Sequence, residues 1–205
     1  MNEKEKMVPL HEAMEQVRVT GRRLALMHLA FSRTLIEELG EDKGKKAIIK
    51  AMMEYGRIVG ETNKAGHQDL PFYGFHEKYT YGDKEFFDTR ERANIAGKDF
   101  DFSRYRVHGC VLANTFLEHN EKELGCLYCY VDSAKSMAAD PSKKLVHTAC
   151  EVVGDGFCAF DLLPTTEKER KDFENKHVDW KEVDPILIKG SKMDKDRKGR
   201  KRSAL

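Results

Sequence analysis

Several things are scarce in this chain, and each scarcity closes a route. No run of roughly 18 apolar residues occurs, so no membrane span is expected. The opening stretch, MNEKEKMVPL, lacks the apolar core of a secretory signal. The net charge is only +1, and much of the positive charge sits at one end, where residues 189–205 carry eight Lys/Arg against Asp194 and Asp196. The rest is mildly acidic and a poor surface for nucleic acid, and no helix-turn-helix signal is present. There is a single Trp, and no internal repeat. A second Cys-x-x-Cys and a His-x₃-His are both missing, which weakens a zinc-finger reading. Five cysteines are an odd number. With no signal, they point to a reducing, cytoplasmic compartment and to thiols that are free, liganding or reactive.

What is present fits one domain. The chain has 205 residues and 35% charged side chains, enough length to bury a core without disulfides. Residues 1–8 read as a flexible start, 9–187 as one α+β unit, and 188–205 as a disordered basic tail. The tail's final Ser203-Ala204-Leu205 resembles a peroxisomal tripeptide but lacks its basic middle residue. Within the domain, 9–64 is the helical part. Met14, Val17, Leu24, Met27, Phe31, Leu35 and Leu39 mark one face of a helix over 9–39. Ala47, Ile48, Ala51, Met52, Tyr55, Ile58 and Val59 mark a second, over 41–63. Gly56 and Gly60, four apart, cost helix propensity and are expected where another element approaches closely. Residues 64–76 read as a loop that walls a pocket.

From 77 to 163 the period shortens and the sheet and site are expected. Strands are predicted over 78–81 and 85–93 about Gly82-Asp83, a hairpin signal, and over 101–110. A short helix follows over 111–119 and a longer one over 124–139, ended by Asp140-Pro141. Paired strands over 144–153 and 157–163 flank Gly154-Asp155-Gly156. The expected architecture is α+β, with a long N-terminal helix pair packed on a mostly antiparallel sheet with additional helices.

Four of the five cysteines fall between 125 and 164. Cys126, Cys129 and Asp132 are spaced three and three, one stripe of a helix. A carboxylate one turn from a thiol raises the thiol's pKa unless a cation intervenes, so Asp132 reads as a base or an acceptor for substrate. In the hairpin, Val146, Thr148, Cys150 and Val152 form the more apolar face. A two- or four-residue turn puts His147, Glu151 and Cys158 on the opposite face; a three-residue turn puts Cys158 beside Cys150. The sequence leaves both open. Arg104 and Arg106 can hold a carboxylate bidentately or face solvent. His147 is a catalytic candidate or a hydrogen-bonded strand residue. A metal site built from Cys126-x-x-Cys129 with two of Cys110, Cys150, Cys158 and His147 is a further option, and Cys150 alone is readily a core residue.

Leu124-Gly125-x₃-Cys129-x-x-Asp132, then Pro141, then Gly154-Asp155-x-x-Cys158-x-Phe160, resembles the L-2-amino-thiazoline-4-carboxylic acid hydrolase family. Cys110 and Tyr55-Gly56-x-x-x-Gly60 fit as well, while Val111 stands where that family commonly has proline. The resemblance implies hydrolysis of a cyclic isothiourea carboxylate on the way to L-cysteine, with no metal and no cofactor. It implies Cys129 as nucleophile or substrate contact and Asp132 as acid/base. Arg106 is the implied carboxylate anchor, and Cys110, Cys158, His147 and Glu151 the remaining substrate-binding residues. The hairpin is also similar to the sensor domains of 4-vinyl reductase type, which implies a ligand-binding module without turnover. The expected partner is a small molecule, with no nucleic acid and no membrane, and a homo-oligomer is compatible.

Overall fold

The computed structural model describes residues 7–64, 75–87, 100–176 and 182–189. Helix α1 spans Leu10–Leu39 and α2 spans Glu41–Lys64. The hairpin strands β1 (Lys78–Tyr81) and β2 (Lys84–Phe86) follow, then β3 (Tyr105–His108), α3 (Val111–Glu118) and α4 (Lys122–Ala139). Strands β4 (Lys143–Ala149) and β5 (Cys158–Pro164) form a second hairpin, and α5 (Glu167–Glu174) and α6 (Ile186–Lys189) complete the described residues. The sheet is antiparallel, in the order β2-β1-β3-β5-β4. The expected α+β architecture is what the chain adopts. No helix among the described residues is long and apolar enough to cross a membrane.

The helix pair forms over the predicted ranges, and part of each predicted face packs inward, with Leu24, Leu35, Ile48 and Met52 in or on the core. Met27, Phe31 and Leu39 of α1 point outward, and the buried stripe is Gly21, Ala25, His28, Leu29 and Ser32. On α2, Ala51 and Ile58 are exposed, while Gly44, Ile48, Met53, Gly56 and Gly60 face inward. Small residues outrank large ones here because the contact is backbone against backbone. A Cβ built on Gly56 would lie 2.4 Å from Ala134 Cβ and 2.8 Å from Val131 O, and one on Gly60 would lie 2.6 Å from Lys135 O. The glycine pair therefore sets α2 directly on α4, as its spacing predicts, and two propensity costs are offset by this packing.

The Gly82-Asp83 turn forms, with Tyr81 opposite Lys84. Strand β2 ends at Phe86, and the remainder of its predicted range, from 88 onward, lies outside the described residues, as do Trp180 and the tail beyond 189. Residues 101–110 are not one strand, since a 3₁₀ turn over Phe102–Arg104 precedes β3.

The second hairpin departs most from expectation. Strand β4 stops at Ala149, and Glu151–Val153 form a 3₁₀ turn. A bulge between His147 and Ala149 lets His147 pair with Phe160 while Ala149 pairs with Ala159. Thr148 consequently faces solvent while His147 and Ala149 are buried. The connection is longer than any turn the sequence allowed for, and two carboxylates explain it. Asp155 Oδ2 accepts from Cys150 N at 2.9 Å. Glu151 accepts from Gly109 N at 2.6 Å and Cys110 N at 2.7 Å. These bonds outbid continued strand pairing. Gly109 has φ +65, a left-handed conformation that a Cβ disfavours.

Candidate functional site

One face of the sheet and the helices above it enclose a cavity of about 380 Å³. Tyr79 of β1, Tyr105 and Val107 of β3, Cys158 and Phe160 of β5, and Leu145 and His147 of β4 supply the sheet side. The register explains the set, because Tyr79 pairs with Val107, Val107 with Cys158, and Phe160 with His147. Paired residues lie on the same face. The helical side includes Tyr128, Cys129, Asp132 and Lys135 of α4, Tyr55 and Val59 of α2, and Cys110, at the start of α3. Phe75 and His76, the described end of the expected pocket loop, also line it.

Cys110, Cys129, Asp132, His147 and Cys158 thus meet at one cavity. Cys129, Asp132 and Lys135 continue a three-residue stripe along α4. Lys135 Nζ lies 3.1 Å from Asp132 Oδ1, and His147 Nε2 lies 3.8 Å from Asp132 Oδ2. The ring Nδ1 of His147 donates to Asp184 Oδ2 at 2.7 Å, and its backbone N–H reaches the same oxygen at 3.0 Å. Asp184 is fully buried, and its Oδ1 has no hydrogen-bond partner among the described residues. Burial pushes the His147 imidazole down, but the charges of Asp184, Cys150 and Asp132 outweigh it and raise the pKa to about 10.

Behind the cavity wall the sulfurs form a cluster. The thiols of Cys129 and Cys158 both donate to the sulfur of Cys150, which is fully buried. Those two bonds, and then the charge of His147, hold Cys150 well below the ordinary thiol range. Cys129 and Cys158, as the donors, are pushed up by the same bonds and by burial. Cys158 therefore shares the cavity face with His147 and still touches Cys150, so the two hairpin alternatives are each half realised. Burial also raises Cys110, to about 12, and lowers His76, whose Nδ1 lies 2.8 Å from Tyr79 Oη, to about 4.

Two expected site residues do not line the cavity. Arg106 occupies the alternate position of β3, facing away from Tyr105 and Val107. Its guanidinium donates to the carbonyls of Ser103 and Tyr105 at 2.6 and 2.8 Å and lies over the Phe157 ring. Strand alternation, with Tyr105 and Val107 on the cavity face, puts it on the opposite face of β3. Glu151 is spent on the amides of Gly109 and Cys110 and clamps the hairpin to the β3–α3 corner. Cys126 is buried in the core and does not line the cavity, so the Cys126-x-x-Cys129 pair supplies one thiol and not two.

Sequence reasoning missed Lys135 and Asp184, and named Cys150 only as a core residue or a candidate metal ligand. Lys135 carries a signal, since it extends the three-residue stripe. Cys150 was assigned to the core, correctly for burial but without its sulfur partners. Asp184 is 37 residues from His147, and no local pattern joins them.

The profile of the L-2-amino-thiazoline-4-carboxylic acid hydrolase family matches residues 21–162, more than half of the chain. No curated protein and no solved structure matches it. The matched span runs from α1 to β5 and contains every cavity residue named above, but it stops short of Asp184.

Proposed function

The chain belongs to that hydrolase family, and from this premise we propose that it opens a small cyclic amidine or isothiourea ring bearing a carboxylate, a 2-amino-thiazoline-4-carboxylate-like substrate. The observation that carries the reading is the meeting of Cys129, Asp132 and His147, with Lys135 beside them, on one enclosed cavity. The reaction adds the oxygen of water to the amidine carbon and breaks its bond to the ring nitrogen. The nitrogen leaves with a proton.

Asp132 is the group proposed to carry that proton, with Cys129 against the amidine carbon. Two routes use these residues. In one, the Cys129 sulfur attacks as Asp132 takes the thiol proton and passes it to the ring nitrogen, which leaves, and water then displaces the sulfur. In the other, water attacks directly. Lys135 takes the anchoring part first given to Arg106, because its ammonium lines the cavity and pairs with Asp132 from one side.

The test is hydrolysis of 2-amino-thiazoline-4-carboxylate followed by mass spectrometry, with a product one water heavier expected. Cys129→Ser and Asp132→Asn should each abolish turnover while retaining the wild-type circular dichroism spectrum. Full activity in both variants would remove the assignment. A second reading, binding without turnover, draws on the aromatic lining from Phe75, Tyr79, Phe102, Tyr105, Phe116 and Phe160. It predicts tight binding of the ring compound, with the substrate recovered intact.

A further inference from the structure

We propose that Cys129, Cys150 and His147 form a binding site for one soft divalent cation of the zinc class, at the floor of the cavity. One donor atom from each residue lies within 4.8 Å of the other two. Cys129 comes from α4, while His147 and Cys150 lie three residues apart at the end of β4, so the tertiary fold brings two segments of the chain together here. In a tetrahedral zinc site, metal–sulfur and metal–nitrogen bonds of about 2.3 and 2.0 Å set the donors roughly 3.5 Å apart. Side-chain rotations that shift each atom by about an ångström close the present group onto an ion.

Three further features fit. Asp184 accepts from His147 Nδ1 at 2.7 Å, which leaves Nε2 as the donor. A buried carboxylate on the far nitrogen is the support that orients a metal-bound imidazole. The loop around Cys150 is fixed by Asp155 on its amide at 2.9 Å, so that sulfur is held in place without an ion. The donor set, two sulfurs and one imidazole, selects zinc-like cations over magnesium or calcium. Cys158 touches Cys150 but lies outside the group of three and is not counted as a ligand. Two of the three donors, Cys129 and His147, also line the cavity, and Asp132 Oδ2 lies 3.8 Å from His147 Nε2.

This site rests on the hydrolase reading only for its consequence, a choice between the two routes. A Cys129 sulfur bound to the ion does not attack carbon. Water at the open position does, since zinc lowers its pKa to about 7. The water oxygen bonds to the amidine carbon and the ring carbon–nitrogen bond breaks. The proton released by the water passes through Asp132 to the leaving nitrogen.

The experiment reads metal, not turnover. The full chain is purified without chelator, saturated with Zn²⁺, desalted and analysed by plasma mass spectrometry; about one ion per chain is expected. Co²⁺ in its place should give thiolate-to-cobalt charge-transfer absorption. Cys150→Ser and His147→Gln should weaken binding 100-fold or more, and Asp184→Asn about 10- to 100-fold, while Cys126→Ser retains wild-type affinity. Because the ligand variants can fail to fold, wild-type protein is also alkylated with and without Zn²⁺. The ion should protect Cys129 and Cys150 and leave Cys110 unaffected. A folded wild-type chain that holds no zinc at saturation, or equal alkylation of Cys129 and Cys150 in both states, overturns the site. An active, metal-free protein overturns the metal-bound-water route, though not the site itself, and leaves the hydrolase reading on the thiolate route. A zinc-loaded protein inert toward cyclic amidines overturns the hydrolase reading and leaves the site.

Discussion

The two walls of the cavity are held in place by different means. On the helical wall, Cys129, Asp132 and Lys135 are positioned by the pitch of α4, and α4 is positioned by the glycines of α2. Packing dominates that wall, with a few long-range hydrogen bonds such as the one of 2.8 Å between His28 Nε2 and the Leu124 carbonyl. On the hairpin wall, buried carboxylates shape the loop and brace the ring: Asp155 on Cys150, Glu151 on Gly109 and Cys110, and Asp184, from outside the hairpin, on His147. The first wall is regular and tolerant of change on its solvent side. The second is irregular, and each of its positions depends on one buried charge.

The difference can be tested by removing one support at a time. Asp184→Ala strikes the hairpin wall hardest, because it leaves His147 without its buried partner. A loss of about 3–5 kcal/mol in unfolding free energy is expected by denaturant titration, and a loss under 1 kcal/mol would show that the pair contributes little. Glu151→Gln comes next. One amide of the Gly109–Cys110 pair then faces a donor in place of a charged acceptor, at a cost of about 1.5–3 kcal/mol. Hydrogen exchange should quicken at Gly109 and Cys110 and stay unchanged along α4; uniform quickening would erase the distinction between the walls. On the helical side, Gly56→Ala drives a methyl into Ala134 and the Val131 carbonyl and should cost about 1–3 kcal/mol. The distances predict that Gly44→Ala, against Ile36, behaves similarly while leaving the cavity untouched.

The smallest effect concerns His76, which belongs to neither wall. Burial lowers its pKa to about 4, against the charge of Asp132 and with that of Lys135. The folded chain therefore binds fewer protons than the unfolded one. The neutral ring's contribution is complete above the unfolded pKa of about 6.5 and is lost as pH falls towards 4. From pH 7 to 5.5 that amounts to about 1 kcal/mol. Paired denaturation curves should show the slope in wild type and a flatter one in His76→Gln. Identical slopes would place the proton elsewhere.

The contrast also explains what was legible in the sequence. The helix ranges, the Gly82-Asp83 turn, the glycine contact of α2 and the Cys129–Asp132 stripe follow from local spacing, which a sequence states directly. The buried faces of α1 and α2 are legible only in part, because periodicity weighs large apolar side chains, whereas Gly21 and Ala25 are buried small residues and Met27, Phe31 and Ile58 are exposed large ones. Arg106 was misjudged for a different reason. Strand alternation puts it opposite Tyr105 and Val107, and only the sheet's pairing shows which of the two faces meets the helices. The fate of His147, Cys150 and Cys158 could not be read because a bulge and a carboxylate-stapled loop reset the register. Asp184 was invisible altogether, since a contact across 37 residues leaves no period behind.

The two hydrogen bonds that His147 donates to Asp184 have a consequence at the rim of the sheet. Strand β4 is the last in the order, so the outward amide of His147 is one that another polypeptide could pair with. Asp184 occupies it. The segment 182–189 thereby acts as a guard against strand addition as well as a brace for the imidazole. A chain cut after residue 176 should lose both at once, and light scattering should show it associating more than the full chain at equal concentration.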